Sequence, residues 1–451
     1  MRKLVLVFAL ALSIVSVSFA GTTGGEKAER APARRAVSES STESAAVIAA
    51  LRARGYEGLE EFLDAFAVEL RNREQEISLD ALQPATAEWQ RISAALDQVC
   101  GQRDCYASRL FWYTDINQAK GAAKLSGKPI LSLRLLGRLD EELSCANSRF
   151  FRLILYSNAE VSKLLRERFI LHWQSVRPVP KVTIDFGDGR KLERTLTGNS
   201  IHYILDADGR PLDALPGLYG PQAFLRGLTR AERVATECSS AKTNAERELI
   251  LRRYHRARLR ALSMAWEADI ASANVSSPPS KEPMTPDAKE PGALRAEVAS
   301  HVAITKSGAE IPTLRRISFN PRGLDPTVED ATWEKISLLY ARDARVDANS
   351  RLLIRAKNPS LYGGPDETAR ASMDRALARF ERAVAADTVR NEYVNHSKIH
   401  EWFASGEAPP DVAALNERVY RELFLTPSSD QWLGLFPRDT YTGIENDGVK
   451  K

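Results

Sequence analysis

The stretch Ile130-Leu131-Ser132-Leu133-Arg134-Leu135-Leu136 constrains the fold of this chain more than any other. It is mostly apolar and of strand length. An alanine-rich helical segment, Asp115 to Ser126, precedes it and stops at Gly127-Lys128-Pro129. The sequence therefore predicts a helix leading into a buried, central strand. A further helical segment leads to a second strand, Phe169-Ile170-Leu171-His172-Trp173, and a third follows at Ile201-His202-Tyr203-Ile204-Leu205-Asp206. The turn Asp208-Gly209 feeds Pro211-Leu212-Asp213-Ala214-Leu215, and a helix starting near Pro221 closes the unit. The expected class is α/β: a βαβ unit, a β-hairpin and a helix, forming a sheet flanked by helices.

Three passages carry a family resemblance. Trp112 is followed by the Asp115-initiated helix, Gly-Lys-Pro and the apolar strand; Asn158-Ala159-Glu160-Val161 opens a helix that ends at Phe169; and Leu205-Asp206-Ala207-Asp208-Gly209-Arg210-Pro211 precedes Leu215-Pro216-Gly217. In this order they resemble exported thioredoxin-like families of the DUF255 and thioredoxin_7 kind, over about a quarter of the chain. The resemblance implies a thioredoxin-like sheet, with a Cys-x-x-Cys on the first turn of the helix after the first core strand and a cis-proline opening the third strand. Cys145 falls where the second cysteine of that motif stands, but Glu142 occupies the place of the attacking one. Ser200 takes the cis-proline position. The resemblance thus implies a degenerate member in which the two-cysteine exchange cycle is lost and Cys145 is the surviving candidate thiol, resolved by Cys100, Cys105 or Cys238 if the fold brings one close.

The chain opens with Met1-Arg2-Lys3, an apolar run from Leu4 to Phe19, and small residues at Ser18 and Ala20, the pattern of a cleaved export signal over 1–20, with an uncleaved anchor as the alternative. Export implies a periplasmic or extracellular location with no membrane span after cleavage. Removing Arg2 and Lys3 takes the formal charge from +4 to +2, close to balance. With 27% charged and 43% hydrophobic residues, the composition is ordinary for a globular protein and excludes an obligate nucleic-acid binder.

Residues 21–43 hold few apolar side chains and read as a disordered tether. A helical N-terminal addition is expected over 44–110, with Leu59, Phe62, Leu63, Phe66 and Leu70 on one face, either packed on the sheet or forming its own bundle. The thioredoxin-like domain is expected over 111–270. It includes a hairpin insert, Lys181 to Thr197 around Gly187-Asp188-Gly189, and a basic helix from Ala241 to Ile270 that reads as a solvated flank. Residues 271–292 read as a Pro/Ser-rich linker, and 293–451 as a second, mostly α-helical domain whose only strand-like run is Val302-Ala303-Ile304.

Four cysteines in an exported chain point to disulfide chemistry. Cys100 and Cys105 frame Gly101-Gln102-Arg103-Asp104, a gap that can close as a structural staple or act as a redox dithiol. Cys145 admits three roles: structural, monothiol or metal-binding. Asp140, Glu141 and Glu142 nearby raise a thiol pKa, whereas Arg134 and Arg138 either lower it or pair with those acids. Glu392, His396 and His400 recur at i, i+4, i+8, a spacing that serves a divalent metal, a solvated helix face or a satisfied, partly buried pair. His172 and His202 lie inside strands and read as packed or hydrogen-bonded. No motif calls for a cofactor. The expectation is an exported protein that works on another protein by binding or through Cys145, or else a non-redox scaffold built on the same frame.

Overall fold

The computed structural model describes residues 32–78, 85–275, 328–358 and 367–433. The export signal over 1–20, most of the 271–292 linker, Val302-Ala303-Ile304 and the tail beyond Leu433 lie outside these residues.

The centre is a mixed four-stranded sheet. Strand β1 (Ile130–Leu136) is buried along its whole length. It pairs in parallel with β2 (Ile170–Arg177), setting Leu133 opposite Trp173. The hairpin insert forms a separate two-stranded sheet of β3 (Lys181–Asp185) and β4 (Lys191–Thr195). Strand β5 (Ser200–Leu205) is antiparallel to β1 and places His202 opposite Leu133; β6 (Pro211–Pro216) is antiparallel to β5. The order is β2-β1-β5-β6. A near-continuous apolar strand is stable only where both faces are covered, which is the situation of β1.

Five helices precede the sheet's entry: α1 (Ser41–Ala53), α2 (Tyr56–Ala65), α3 (Ala67–Ser78), α4 (Ala87–Cys100) and the short α5 (Cys105–Ser108). Of the two arrangements open to them, a bundle around its own core is the one seen, built on Leu59, Phe62, Phe66, Ile92 and Leu96. It is fastened to the sheet through Trp112 N–H to Cys100 O (2.8 Å), Trp173 Nε1 to Gly101 O (2.7 Å) and Arg52 to Trp112 O (3.1 Å). Helix α6 (Ile116–Ser126) is started by the Asp115 carboxylate on Asn117 N–H (2.7 Å) and ended by Gly127 at φ +70°. The tether expected over 21–43 is too long. Residues 32–37 are helical, Ala33 and Ala36 are buried, and α1 begins at Ser41 with Ser40 as its cap. Two alanines reach the core without bulk, while Arg34 lies over the Phe66 ring and donates to Ala65 O.

After β1 come α7 (Ala146–Phe150), a π-helical turn (Phe151–Leu155) and α8 (Ala159–Arg168); after β6 come α9 (Pro221–Ser239) and α10 (Asn244–Ser272). The C-terminal part supplies α11 (Val328–Ser337), α12 (Ala348–Lys357), α13 (Glu367–Arg390), α14 (Ser397–Ser405) and α15 (Val412–Glu422). The separate domain expected over 293–451 is not seen among the described residues. Trp402, Leu415, Tyr420 and Phe424 share one core with Leu133, Tyr203 and Leu215 of the sheet. The basic helix α10 is a flank with a solvated basic face, Arg253, Arg256 and Arg260 being exposed, and it also has a buried stripe of Leu251, His255, Leu262 and Trp266, with Arg258 paired to Glu392. No helix among the described residues is long and apolar enough to cross a membrane.

Candidate functional site

Two groups of titratable residues are buried against the sheet. The first surrounds Cys145. Strand β1 ends at Gly137 (φ +74°), whose N–H bonds Arg177 O, and the loop that follows brings Cys145 to the N-cap of α7. Its Sγ accepts the Ser148 N–H at 3.4 Å, and the residue is completely buried. Cys145 lies in no disulfide, whereas Cys100 and Cys105 are bonded to each other with their Cα atoms 6.3 Å apart. Cys238 is buried on α9, and burial pushes its thiol up to about 11.

The core that buries Cys145 draws on distant parts of the chain, Tyr156 and Tyr420 among them. Tyr156 bonds His202 Nε2 at 2.7 Å, and Tyr420 of α15 donates to Asn199 O at 3.1 Å. Burial first, and the nearby Cys145 second, raise both phenols well above their ordinary range. Ser200, fully buried at the head of β5, accepts from Asn147 Nδ2 at 2.7 Å, and no cis peptide bond occurs among the described residues. Arg138 pairs with Asp140 (2.6 Å) and Glu141 (3.5 Å). Arg134 is buried on β1, and desolvation lowers its pKa. Glu142 is drawn away by Lys357 (2.8 Å) and Arg103 (3.2 Å).

The second group forms where α10 and α14 meet β6. Between α13 and α14 the backbone widens into a π-helical turn, Asn391–His396. Such a turn reorients side chains and is common at functional sites. Here it belongs to the turn that holds His396 between two carboxylates: Nε2 is 3.0 Å from Asp213 Oδ1 and Nδ1 is 3.0 Å from Glu392 Oε2. Tyr254 donates to Asp213 Oδ2 at 2.6 Å. His255 joins His400 through their Nδ1 atoms at 2.8 Å and bonds Leu212 O through Nε2 at 3.0 Å. His400 Nε2 is buried without a hydrogen-bond partner. Burial disfavours charge on His396, but Asp213 and Glu392 overcome it and lift the imidazole to about 9. Burial likewise opposes ionisation of Glu392, and His396, Arg230 and Arg258 bring it to about 2. For His255 desolvation prevails and lowers it to about 4. A cleft of about 310 Å³ adjoins this cluster, lined among others by Arg226, Arg230, Arg258, Glu392 and Tyr393.

Of the readings open to Glu392, His396 and His400, the solvated face is not the one seen: both histidines are buried, His396 in the π-helical turn and His400 in α14, against β6. Neither Asp213, in its expected strand, nor His255, in the expected basic helix, stands out in the sequence as a site residue. A signal existed for each. Leu251, His255, Leu262 and Trp266 share one helical face, and Asp213 interrupts an otherwise apolar strand. His172 and His202 are packed as their strands imply; Ser132 Oγ lies 2.8 Å from His172 Nδ1, and burial lowers both imidazoles to about 3.

No sequence-family profile matches the chain, and no curated protein or solved structure matches it either.

Proposed function

We propose that this chain is an exported, thioredoxin-like protein that has lost thiol exchange and serves as a binding or scaffold protein, its partner being another protein. Support for the frame comes from strand order and sense: parallel β1 and β2, then antiparallel β5 and β6, in the order β2-β1-β5-β6. Export rests on the signal-like first twenty residues.

The observation that carries the reading is the burial of Cys145. A reactive cysteine needs an exposed thiolate and a resolving partner. Cys145 has no solvent exposure, Cys100 and Cys105 are bonded to each other, and the backbone beside Ser200 is occupied by Tyr420 and, through Asn199 Nδ2 at 2.9 Å, by Thr426. In a thioredoxin-like frame that backbone is where a substrate peptide docks, and here the chain's own C-terminal helix covers it. The β3–β4 hairpin, whose side chains are largely solvent-exposed, offers a surface for a partner instead.

One feature favours the monothiol alternative: the helix N-cap position of Cys145, which stabilises a thiolate. An insulin-reduction assay on the mature protein and its Cys145→Ser variant separates the two. The binding reading expects no turnover by either protein. Turnover that disappears in Cys145→Ser would overturn it.

A further inference from the structure

Three of the chain's six histidines converge on one carboxylate in the interior, and no reading of the sulfur chemistry uses them. We propose that Asp213, His396 and His400, with His255 as the adjacent fourth donor, hold a divalent d-block cation of the zinc class. The cation would join strand β6 to helices α10 and α14. This inference stands independently of the proposed function.

Geometry carries it. Donors about 2.1 Å from a cation at tetrahedral angles stand about 3.4 Å from one another. Asp213 Oδ1 is 3.0 Å from His396 Nε2 and 3.9 Å from His400 Nδ1, and the ligand atoms of these three residues all lie within 4.8 Å of each other. His255 Nδ1 lies a further 2.8 Å from His400 Nδ1. Two ring nitrogens at that distance are held together by a proton on one of them or by a cation between them.

The surrounding hydrogen bonds fit the second arrangement. Metal-bound histidines hand their other ring nitrogen to a carboxylate or carbonyl, which fixes the ring and aims the lone pair. His396 gives Nδ1 to Glu392, His255 gives Nε2 to Leu212 O, and the second oxygen of Asp213 is taken by Tyr254. His396, His255 and Asp213 are thereby oriented from outside, while His400 keeps a buried Nε2 with no hydrogen-bond partner. The set of two or three imidazoles and one carboxylate suits zinc and its neighbours better than calcium or magnesium, which select oxygen. Binding displaces the proton between His396 and Asp213 and the one between His400 and His255.

The test uses untagged mature protein purified without chelator, analysed for metals by plasma mass spectrometry and then, after chelation, titrated with Co²⁺. The proposal expects a stoichiometric d-block metal, visible Co²⁺ bands of a four-coordinate site, and a lower thermal midpoint after chelation that Zn²⁺ restores. His400→Gln and Asp213→Asn should lose the metal, Glu392→Gln should weaken it by about 10- to 100-fold, and Glu401→Gln, on the exposed side of α14, should retain it. Substoichiometric metal in the wild-type protein, with no Co²⁺ spectrum and no effect of Zn²⁺ on the midpoint, would overturn the proposal whether or not the variants fold.

Discussion

Lys357 is the residue through which the C-terminal helices hold the Cys145 loop: its ammonium contacts Asp104 at 2.9 Å and Glu142 at 2.8 Å. Burial opposes the charge on Glu142, but Lys357, Arg152 and Arg103 outweigh it and bring the carboxyl from 4.5 to about 2. A depressed carboxyl stabilises the fold above its unfolded pKa and loses that contribution as pH falls toward the folded value. Stability should therefore decline between pH 4.5 and 2, and Lys357→Met should flatten that decline in urea titrations at stepped pH. Gly198 offers a second residue-scale test. A Cβ there would sit 2.6 Å from Asn147 Oδ1, and Asn147 is buried and bonded to Ser200. Gly198→Ala is expected to destabilise the protein by about 1–3 kcal/mol in equilibrium unfolding. At this scale the sequence was least legible. Glu392, His396 and His400 could be read from helical spacing, but Asp213 and His255 come from a strand and another helix, and only the tertiary approach of α10 and α14 to β6 makes them neighbours.

The Cys100–Cys105 bond closes a small loop between α4 and α5 that also presents Gly101 O to Trp173. A loop of this length contributes about 2 kcal/mol by restricting the unfolded chain. Cys100→Ala/Cys105→Ala should lower stability by that amount, measured by guanidinium unfolding. Helix α15 is expected to matter more. Leu415 is fully buried in the shared core, and Leu415→Ala should cost about 2–5 kcal/mol in the same measurement. Elements with a strong local signal were legible: β1 from its apolar run, α6 from its Asp cap and Gly stop, and the hairpin from its alternation and glycine turn. Residues 32–40 were not, because alanine-for-contact packing and arginine hydrogen bonds leave no periodic apolar trace. The long α13 runs on through a π-helical turn into α14, since nothing in Asp387 to His396 breaks a helix.

Among the described residues, the C-terminal helices belong to the core of the sheet rather than to a tethered neighbour, while the N-terminal helices pack around a core of their own. A composition shift near 271–292 suggested two domains, yet amphipathic helices after such a segment pack wherever an apolar surface remains, and here that surface is the sheet itself. The same packing buries Cys145 completely, in one core with Tyr156 and Tyr420, so its chemistry is a property of the assembled fold. Alkylation of the native protein, followed by mass spectrometry of the Cys145 peptide over time, tests this most directly. The account expects Cys145 to react no faster than the molecule unfolds, with α15 variants accelerating the reaction in step with their lost stability. Modification of Cys145 within the dead time of mixing, in protein that remains folded by circular dichroism, would contradict it.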